Sequence, residues 1–203
     1  MSHNSDKAPP SDANSHVSRP VAALCVSGRS IYKHLPGVEC FDRRRDARSF
    51  DGSTPVVAHP PCRLWSKYLS HCAKPLDAEA ERELGRWCVR TVMRCGGVLE
   101  QPAHSALWAE MNLPYPGEPE ILGDREKFYS IYVEQIWFGY ASRKPTWILV
   151  CGVPMNQLPP LPFSLAQPRA KPARLSSFGR SRTVRPFAEW LVNVARRAKG
   201  MAA

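Results

Sequence analysis

No stretch of this 203-residue sequence stays apolar for about 18 residues, so no segment is expected to cross a membrane as a helix. The amino terminus lacks a charged stretch followed by an apolar one, the pattern of a secretory leader, and a soluble, cytoplasmic chain is expected. Cysteine stands at positions 25, 40, 62, 72, 88, 95 and 151, an odd number without the spacing of a disulfide framework. Most of these thiols sit in apolar runs, where they behave as small hydrophobes in a reducing compartment. Neither a Cys-x-x-Cys nor a His-x-x-x-His pair occurs. That argues against gathering His59, Cys62, His71, Cys72 and His104 into a zinc site, and no metal is expected. There is no internal repeat. Acid is nearly missing from the carboxyl-terminal stretch: from Pro168 to Ala203, nine Lys/Arg (169, 171, 174, 180, 182, 185, 196, 197, 199) face Glu189 alone.

That imbalance, within a formal net charge of +10, favours a polyanionic partner bound by phosphate neutralisation and counterion release. Arg169, Lys171, Arg174, Arg180 and Arg182 are the candidate contacts to a nucleic-acid backbone, and the plain alternative is a solvated basic tail. DNA is the expected partner and RNA the second; the oligomeric state is open. The length suits one domain with a real core. Three segments are expected. Residues 1–18, Ser/Asn/Asp/Pro-rich with one isolated Val, form a disordered lead; residues 19–153 form an α/β core; and residues 154–203 form a Pro-rich basic extension with a terminal helix.

The apolar run Val21 to Val26 predicts a first strand, followed by a compact turn and one helical turn from Ser27 to Leu35. Gly37 to Asp42 predicts a second strand ending on an acid. Pro55 to His59 predicts a third, running straight into Pro60-Pro61-Cys62. Leu76, Ala80, Leu84, Cys88, Val92 and Cys95 recur at three- and four-residue steps and predict a helix from Leu76 to Cys95. Asp77 and Glu79 suit its start, and Gly96-Gly97 its stop. A brief strand, Val98-Leu99, then ends at Glu100. A helix over His104 to Met111, strands over Tyr129 to Phe138 and Thr146 to Cys151, an extended Pro154 to Pro172 and an amphipathic helix over Phe187 to Ala198 complete the reading. Strands alternating with helices argue for an α/β sheet.

Three segments carry candidate chemistry. In His59-Pro60-Pro61-Cys62-Arg63-Leu64-Trp65-Ser66, a strand meets a rigid corner that projects a cysteine from the carboxyl edge of the sheet, where open α/β sheets bind ligands. Arg63, Lys67 and His59 favour the thiolate of Cys62, a candidate nucleophile; the alternative is a rigid surface turn with an inert thiol. Trp65 is either a core residue or a platform for a base. Gly96 to Pro102 places the carboxyl of Glu100 at a strand end, as a proton donor or acceptor or simply as a helix-start acid. Phe138 to Trp147 supplies a glycine turn and the cations Arg143 and Lys144 before an apolar strand.

Together these segments resemble the cytosine-C5 DNA methyltransferases. Pro61-Cys62-Arg63-Leu64-Trp65-Ser66 is similar to that family's Pro-Cys-Gln-x-Phe-Ser loop. Leu99-Glu100-Gln101-Pro102 is similar to its Glu-Asn-Val, and Phe138-Gly139 through Val150 to its Phe-Gly, Gln-x-Arg-x-Arg and apolar strand. Thr183 to Ala188 resembles the closing segment. The resemblance covers residues 21 to 151 and the last helix, and its overall look is that of small methyltransferase-like proteins of bacteriophages and prophages, within a bacterial host cell. It implies a reduced Rossmann-like sheet and transfer of a methyl group to DNA cytosine. Cys62 would be the nucleophile at C6 and Glu100 the acid at N3, on a base drawn out of its stack. Ser66, Arg63, Trp65, Gln101, Arg143, Lys144 and Thr146 would hold the substrate. S-adenosylmethionine would lie against Ser27, Gly28, Asp42 and Pro60.

The chain departs from the family pattern in places. The family's Phe-x-Gly-x-Gly cofactor loop corresponds to Leu24-Cys25-Val26-Ser27-Gly28, which keeps one glycine. Gln101 replaces the asparagine, and Lys144 and Thr146 stand at the two arginines. Little chain remains for a target-recognition domain. Two alternatives follow: another Cys-initiated pyrimidine reaction, such as deamination or one-carbon transfer, and a non-catalytic DNA-binding protein that shields phage DNA from restriction.

Overall fold

Four consecutive side chains, Val21 to Leu24, are completely buried, as happens when both faces of a sheet are covered. They form β1 (Val21–Leu24), which lies between β2 (Val38–Phe41) and β3 (Val56–Ala58) and runs parallel to both. β3 pairs in parallel with β4 (Gly97–Pro102). Two antiparallel pairings, β4 with β6 (Pro145–Cys151) and β6 with β5 (Phe128–Glu134), complete a six-stranded mixed sheet of order β2-β1-β3-β4-β6-β5. The computed structural model describes residues 19–66, 76–118, 128–165, 167–170, 179 and 181–200. The lead, residues 1–18, lies outside them.

Helix α1 (Ala78–Cys95) joins β3 to β4, α2 (Leu107–Glu110) is a single turn, and α3 (Arg185–Arg197) closes the chain. The period-two alternation of the strands sorts their side chains into two layers. Ala22, Leu24, Val56, Ala58, Leu99 and Leu149 pack with Cys88, Val89 and Val92 of α1. Val21, Ala23, Val57, Val98, Ile148 and Val150 pack with Phe187, Leu191 and Val194 of α3. The architecture is α/β, a mixed sheet with flanking helices. No helix among the described residues is long and apolar enough to cross a membrane.

Several element bounds differ from the sequence expectation. Leu76 is fully exposed and precedes α1, because the Asp77 carboxylate caps the helix by accepting the Ala80 N–H at 2.8 Å. β4 runs to Pro102 and so places Glu100 inside the strand; its pairing with β6 continues to Pro102 opposite Thr146. β5 stops at Glu134, and Gln135 to Phe138 tighten into a 3₁₀ turn closed by Gly139 at φ 86°. The helix expected over His104 to Met111 shrinks to α2, since His104 itself sits at φ 65° and cannot join a right-handed helix. β1 stops at Leu24 for the same reason, Cys25 standing at φ 58°. The terminal helix starts at Arg185, two residues early, with Pro186 in its first turn.

Candidate active site at the carboxyl edge of the sheet

β1, β3 and β4 run in parallel, so the residues that follow β1 and β3 emerge at one edge, together with the carboxyl end of β4. The chain leaves β1 for β2 on one side and returns to β3 on the other, which puts a topological switch point between β1 and β3. After β3, His59 stays tied to the sheet through its N–H to the Leu24 carbonyl, 3.1 Å. Pro60 is buried, and its carbonyl accepts the Gln101 side-chain amide at 2.6 Å. Gln101 is buried too, with its amide oxygen accepting from the Ser105 hydroxyl at 3.3 Å. A turn follows in which the Cys62 carbonyl accepts the N–H groups of Trp65 and Ser66, 3.0 and 2.8 Å. The Cys62 thiol stands exposed at this corner.

The neighbours of Cys62 divide. Arg63 donates to Glu81 of α1, with Nε 2.7 Å from Oε1, which anchors the loop to the helix. Trp65 turns inward and is 4 % exposed, against the bare backbone of Gly85. It is a core residue, and the expectation that it stacks on a base is corrected by that packing. Lys67 and Cys72 lie outside the described residues, as does His71.

Glu100 faces His59 across the β3–β4 pair, the next step beyond Ala58 opposite Leu99. His59 Nδ1 lies 3.1 Å from Glu100 Oε2, and His59 Nε2 lies 2.9 Å from the Tyr32 hydroxyl. The other Glu100 oxygen accepts the Gln135 amide at 3.1 Å, and the same amide nitrogen donates to Thr146 Oγ1 at 3.0 Å. Thr146 in turn donates to the Lys144 carbonyl at 3.0 Å. Burial pushes the Glu100 carboxyl up. The His59 hydrogen bond, the charges of Lys144 and His59 and the Gln135 amide outweigh it, so Glu100 sits below the ordinary carboxyl range. Tyr32 is pushed well up, first by burial and then by the negative charge of Glu100 and by Cys40, so its hydroxyl keeps its proton.

Around this centre, Lys144 stands 5.3 Å from the Tyr140 ring, and Arg143 points away from it to Glu134, 3.1 Å, whose Oε1 also accepts the Tyr132 hydroxyl at 2.7 Å. Ser27 and Gly28 are exposed, and Val26, where the family pattern has its first loop glycine, is buried in the core. Asp42 is engaged on both oxygens: Lys33 holds Oδ2 at 2.6 Å, and the N–H groups of Arg44 and Arg45 reach Oδ1 at 2.9 and 3.2 Å. These bonds lower its pKa to about 2. Among the described residues, this edge offers the ribose of S-adenosylmethionine only an Asp42 already bonded on both oxygens, and the loop after β1 keeps Val26 in place of a glycine. The residues do not fit that cofactor in the expected way.

Of the basic residues expected on a nucleic acid, Arg169 and Arg182 are exposed, while Lys171, Arg174 and Arg180 lie outside the described residues. Arg169 donates to the Gly139 carbonyl at 3.2 Å, so it borders the turn before Lys144. Arg196 instead binds the carbonyls of Arg19 and Pro36 and serves the fold. No group of three or more His, Cys, Asp or Glu side chains able to hold a metal occurs among the described residues. Sequence reasoning missed Tyr32 and Gln135 and gave His59 only a role toward Cys62. The polar pair Glu134-Gln135 inside an apolar stretch was the one available signal. No protein-family model matches the chain, and no curated protein matches it in sequence.

Proposed function

We propose that this chain is a cytosine-C5-methyltransferase-like protein directed at DNA, with Cys62 adding to C6 of a pyrimidine drawn out of its stack. The observation that carries the reading is an exposed thiol on the corner that follows β3 and a nearly covered carboxylate on the adjacent strand, Glu100, both at the edge where a switch point opens. The parallel block β2-β1-β3-β4 supports a reduced Rossmann-like sheet as its scaffold.

Cytosine C5 is a poor nucleophile until C6 is attacked. The Cys62 sulfur forms a bond to C6, the C5–C6 π pair shifts through C4 toward N3, and N3, facing Glu100, takes up the proton that the thiol gives up. The thiol has lost one proton and N3 has gained one, so the site's charge is unchanged. C5 is then an enamine carbon that can attack an electrophile; loss of the C5 proton to solvent and return of the N3 proton to the thiolate that leaves C6 restore the aromatic ring. The charge of Lys144 reaches Glu100, where the resemblance puts a residue that holds the base, whereas Thr146 is completely buried and holds Gln135 instead. A second reading, non-catalytic binding of DNA, is favoured by Asp42, which is already occupied by Lys33.

The adduct is testable without any donor. In heavy water an adduct-forming site exchanges the C5 hydrogen of cytosine for deuterium, read by mass spectrometry of the recovered oligonucleotide. Exchange is expected with the wild type and absent with Cys62→Ala, and Glu100→Gln slows it by roughly a hundredfold or more. Parallel single-stranded, duplex and RNA arms identify the substrate. No exchange in any arm would overturn the enzymatic reading in favour of the binding one.

A further inference from the structure

We propose that His59, oriented by Tyr32, is a positioning residue for Glu100: it presents the carboxylate to the sheet edge as an ionised acceptor before a base arrives. The inference rests on the reading of Glu100 as the group facing the pyrimidine ring, and extends it to two residues outside that family pattern. The geometry is a buried chain. The Tyr32 side chain is 1 % exposed, and those of His59 and Glu100 are 13 % and 12 % exposed. The two His59 ring nitrogens each have one partner, the Tyr32 hydroxyl at 2.9 Å and Glu100 at 3.1 Å.

Chemistry decides the direction of these bonds. The carboxylate can only accept, so Nδ1 carries the hydrogen toward Glu100. Nε2 faces the Tyr32 hydroxyl, which can donate to it or accept from it, so Tyr32 holds the ring in place in either form. Tyr32 is suited to this because burial keeps its phenol protonated. Gln135 holds the second Glu100 oxygen with an amide hydrogen, and the Gln135 side-chain oxygen is buried without a hydrogen-bond partner among the described residues. Turning that amide over would set its oxygen against the carboxylate, so an ionised Glu100 also fixes Gln135. Lys144 adds a positive charge from the turn before β6, and Cys40 is the other titrating group that acts on Tyr32. Every donor at Glu100 therefore favours its anion, and only burial opposes them.

The consequence is a proton requirement. A neutral cytosine offers N3 as an acceptor, which an ionised carboxylate cannot satisfy. The proton released by Cys62 on attack must therefore come to rest between N3 and Glu100, and the ease of that step follows the hold of His59 on the carboxylate.

The test is a carbon-13 NMR titration of Glu100 in the full chain, without nucleic acid. His59→Leu removes the hydrogen bond and leaves burial unopposed, so the Glu100 midpoint is expected to rise by about one pH unit or more. His59→Gln keeps a donor and restores part of the shift. Tyr32→Phe removes the second hold on the ring and raises the midpoint by a smaller amount, and it decides the matter if His59→Leu does not fold. With the nucleic-acid substrate present, the alkaline limb of the deuterium-exchange profile should move upward with the midpoint in each variant. An unchanged Glu100 midpoint in folded His59→Leu, or in Tyr32→Phe where it is the deciding variant, overturns the proposal. Midpoints that move while exchange is absent in every protein would sink the Cys62 reaction and leave the hold of His59 on Glu100 standing.

Discussion

The Gln101 amide reaches from β4 to the Pro60 carbonyl over 2.6 Å, pinning the corner that carries Cys62 to the strand that carries Glu100. Both groups are buried, so neither can turn to water if the other is lost. Gln101→Leu is expected to destabilise the protein by about 1–3 kcal/mol, the cost of an unsatisfied buried carbonyl, read by urea denaturation. It should also change the alkylation rate of Cys62; an unaltered rate would show that the corner holds without this bond.

The thiols differ sharply in access. Cys62 is exposed, whereas Cys88, Cys95 and Cys151 are buried, and burial pushes the Cys151 thiol far up. Iodoacetamide followed by peptide mapping is expected to modify Cys62 roughly tenfold or more faster than those three. Equal rates among the four would mean that the corner is closed.

Gly97 lies against the backbone of Val56. A methyl group there would stand 2.7 Å from the Val56 nitrogen and closer still to its carbonyl oxygen, at a φ of 119° that L residues avoid. Gly97→Ala is expected to cost about 4 kcal/mol or more, or to prevent folding, because β3–β4 pairing cannot relax around it. Gly117→Ala, at φ 85° but with nothing within 4 Å, provides the control, with a cost of about 1–2 kcal/mol. Similar losses at both positions would show that backbone conformation, not contact, sets the cost.

Asp42 titrates at about 2 in the folded protein, below the ordinary carboxyl range near 4. A depressed folded value means that its stabilising effect is complete above the unfolded pKa and is lost as pH falls from about 4 through about 2. Asp42→Asn should flatten the stability profile within that window and leave its slope near neutrality unchanged, as followed by thermal melts. A wild-type slope below pH 4 in the variant would place the acid sensitivity elsewhere.

Arg169 and Arg182 are exposed, so charge reversal tests nucleic-acid binding without touching the core. Each lost phosphate contact is expected to lower the salt slope of DNA affinity by about 0.9. Deleting the whole basic stretch would confuse the result, because Phe187, Leu191 and Val194 of α3 cover one face of the sheet. An unchanged slope in Arg169→Glu and Arg182→Glu would remove both residues from the interface.

The elements legible in the residues were those with a strong local period. The completely apolar run at Val21, the three-and-four spacing of Leu84, Cys88, Val92 and Cys95, and the Phe187, Leu191, Val194 stripe each determine an element and its buried face, because side-chain direction follows backbone geometry over a few residues. The Pro60-Pro61 corner was legible for the same local reason, and with it the exposure of Cys62. Element ends were less so. Cys25 and His104 adopt positive φ, and β4 lengthens through its partner β6.

Only the tertiary structure decided the company Glu100 keeps. His59, Gln135 and Tyr32 come from the end of β3, from the turn after β5 and from the turn before β2, His59 being the residue that follows the strand. His59 is 41 and Gln135 35 residues from Glu100, and Tyr32 is 27 residues from His59. Nothing in a local window encodes such a meeting, since it depends on strand order: β3 placed beside β4, and β6 inserted between β4 and β5. The packing of α1 on the sheet likewise turned Trp65 toward Gly85. Local sterics wrote the strands and helices into the sequence, and their pairing in space chose which side chains hydrogen-bond to Glu100.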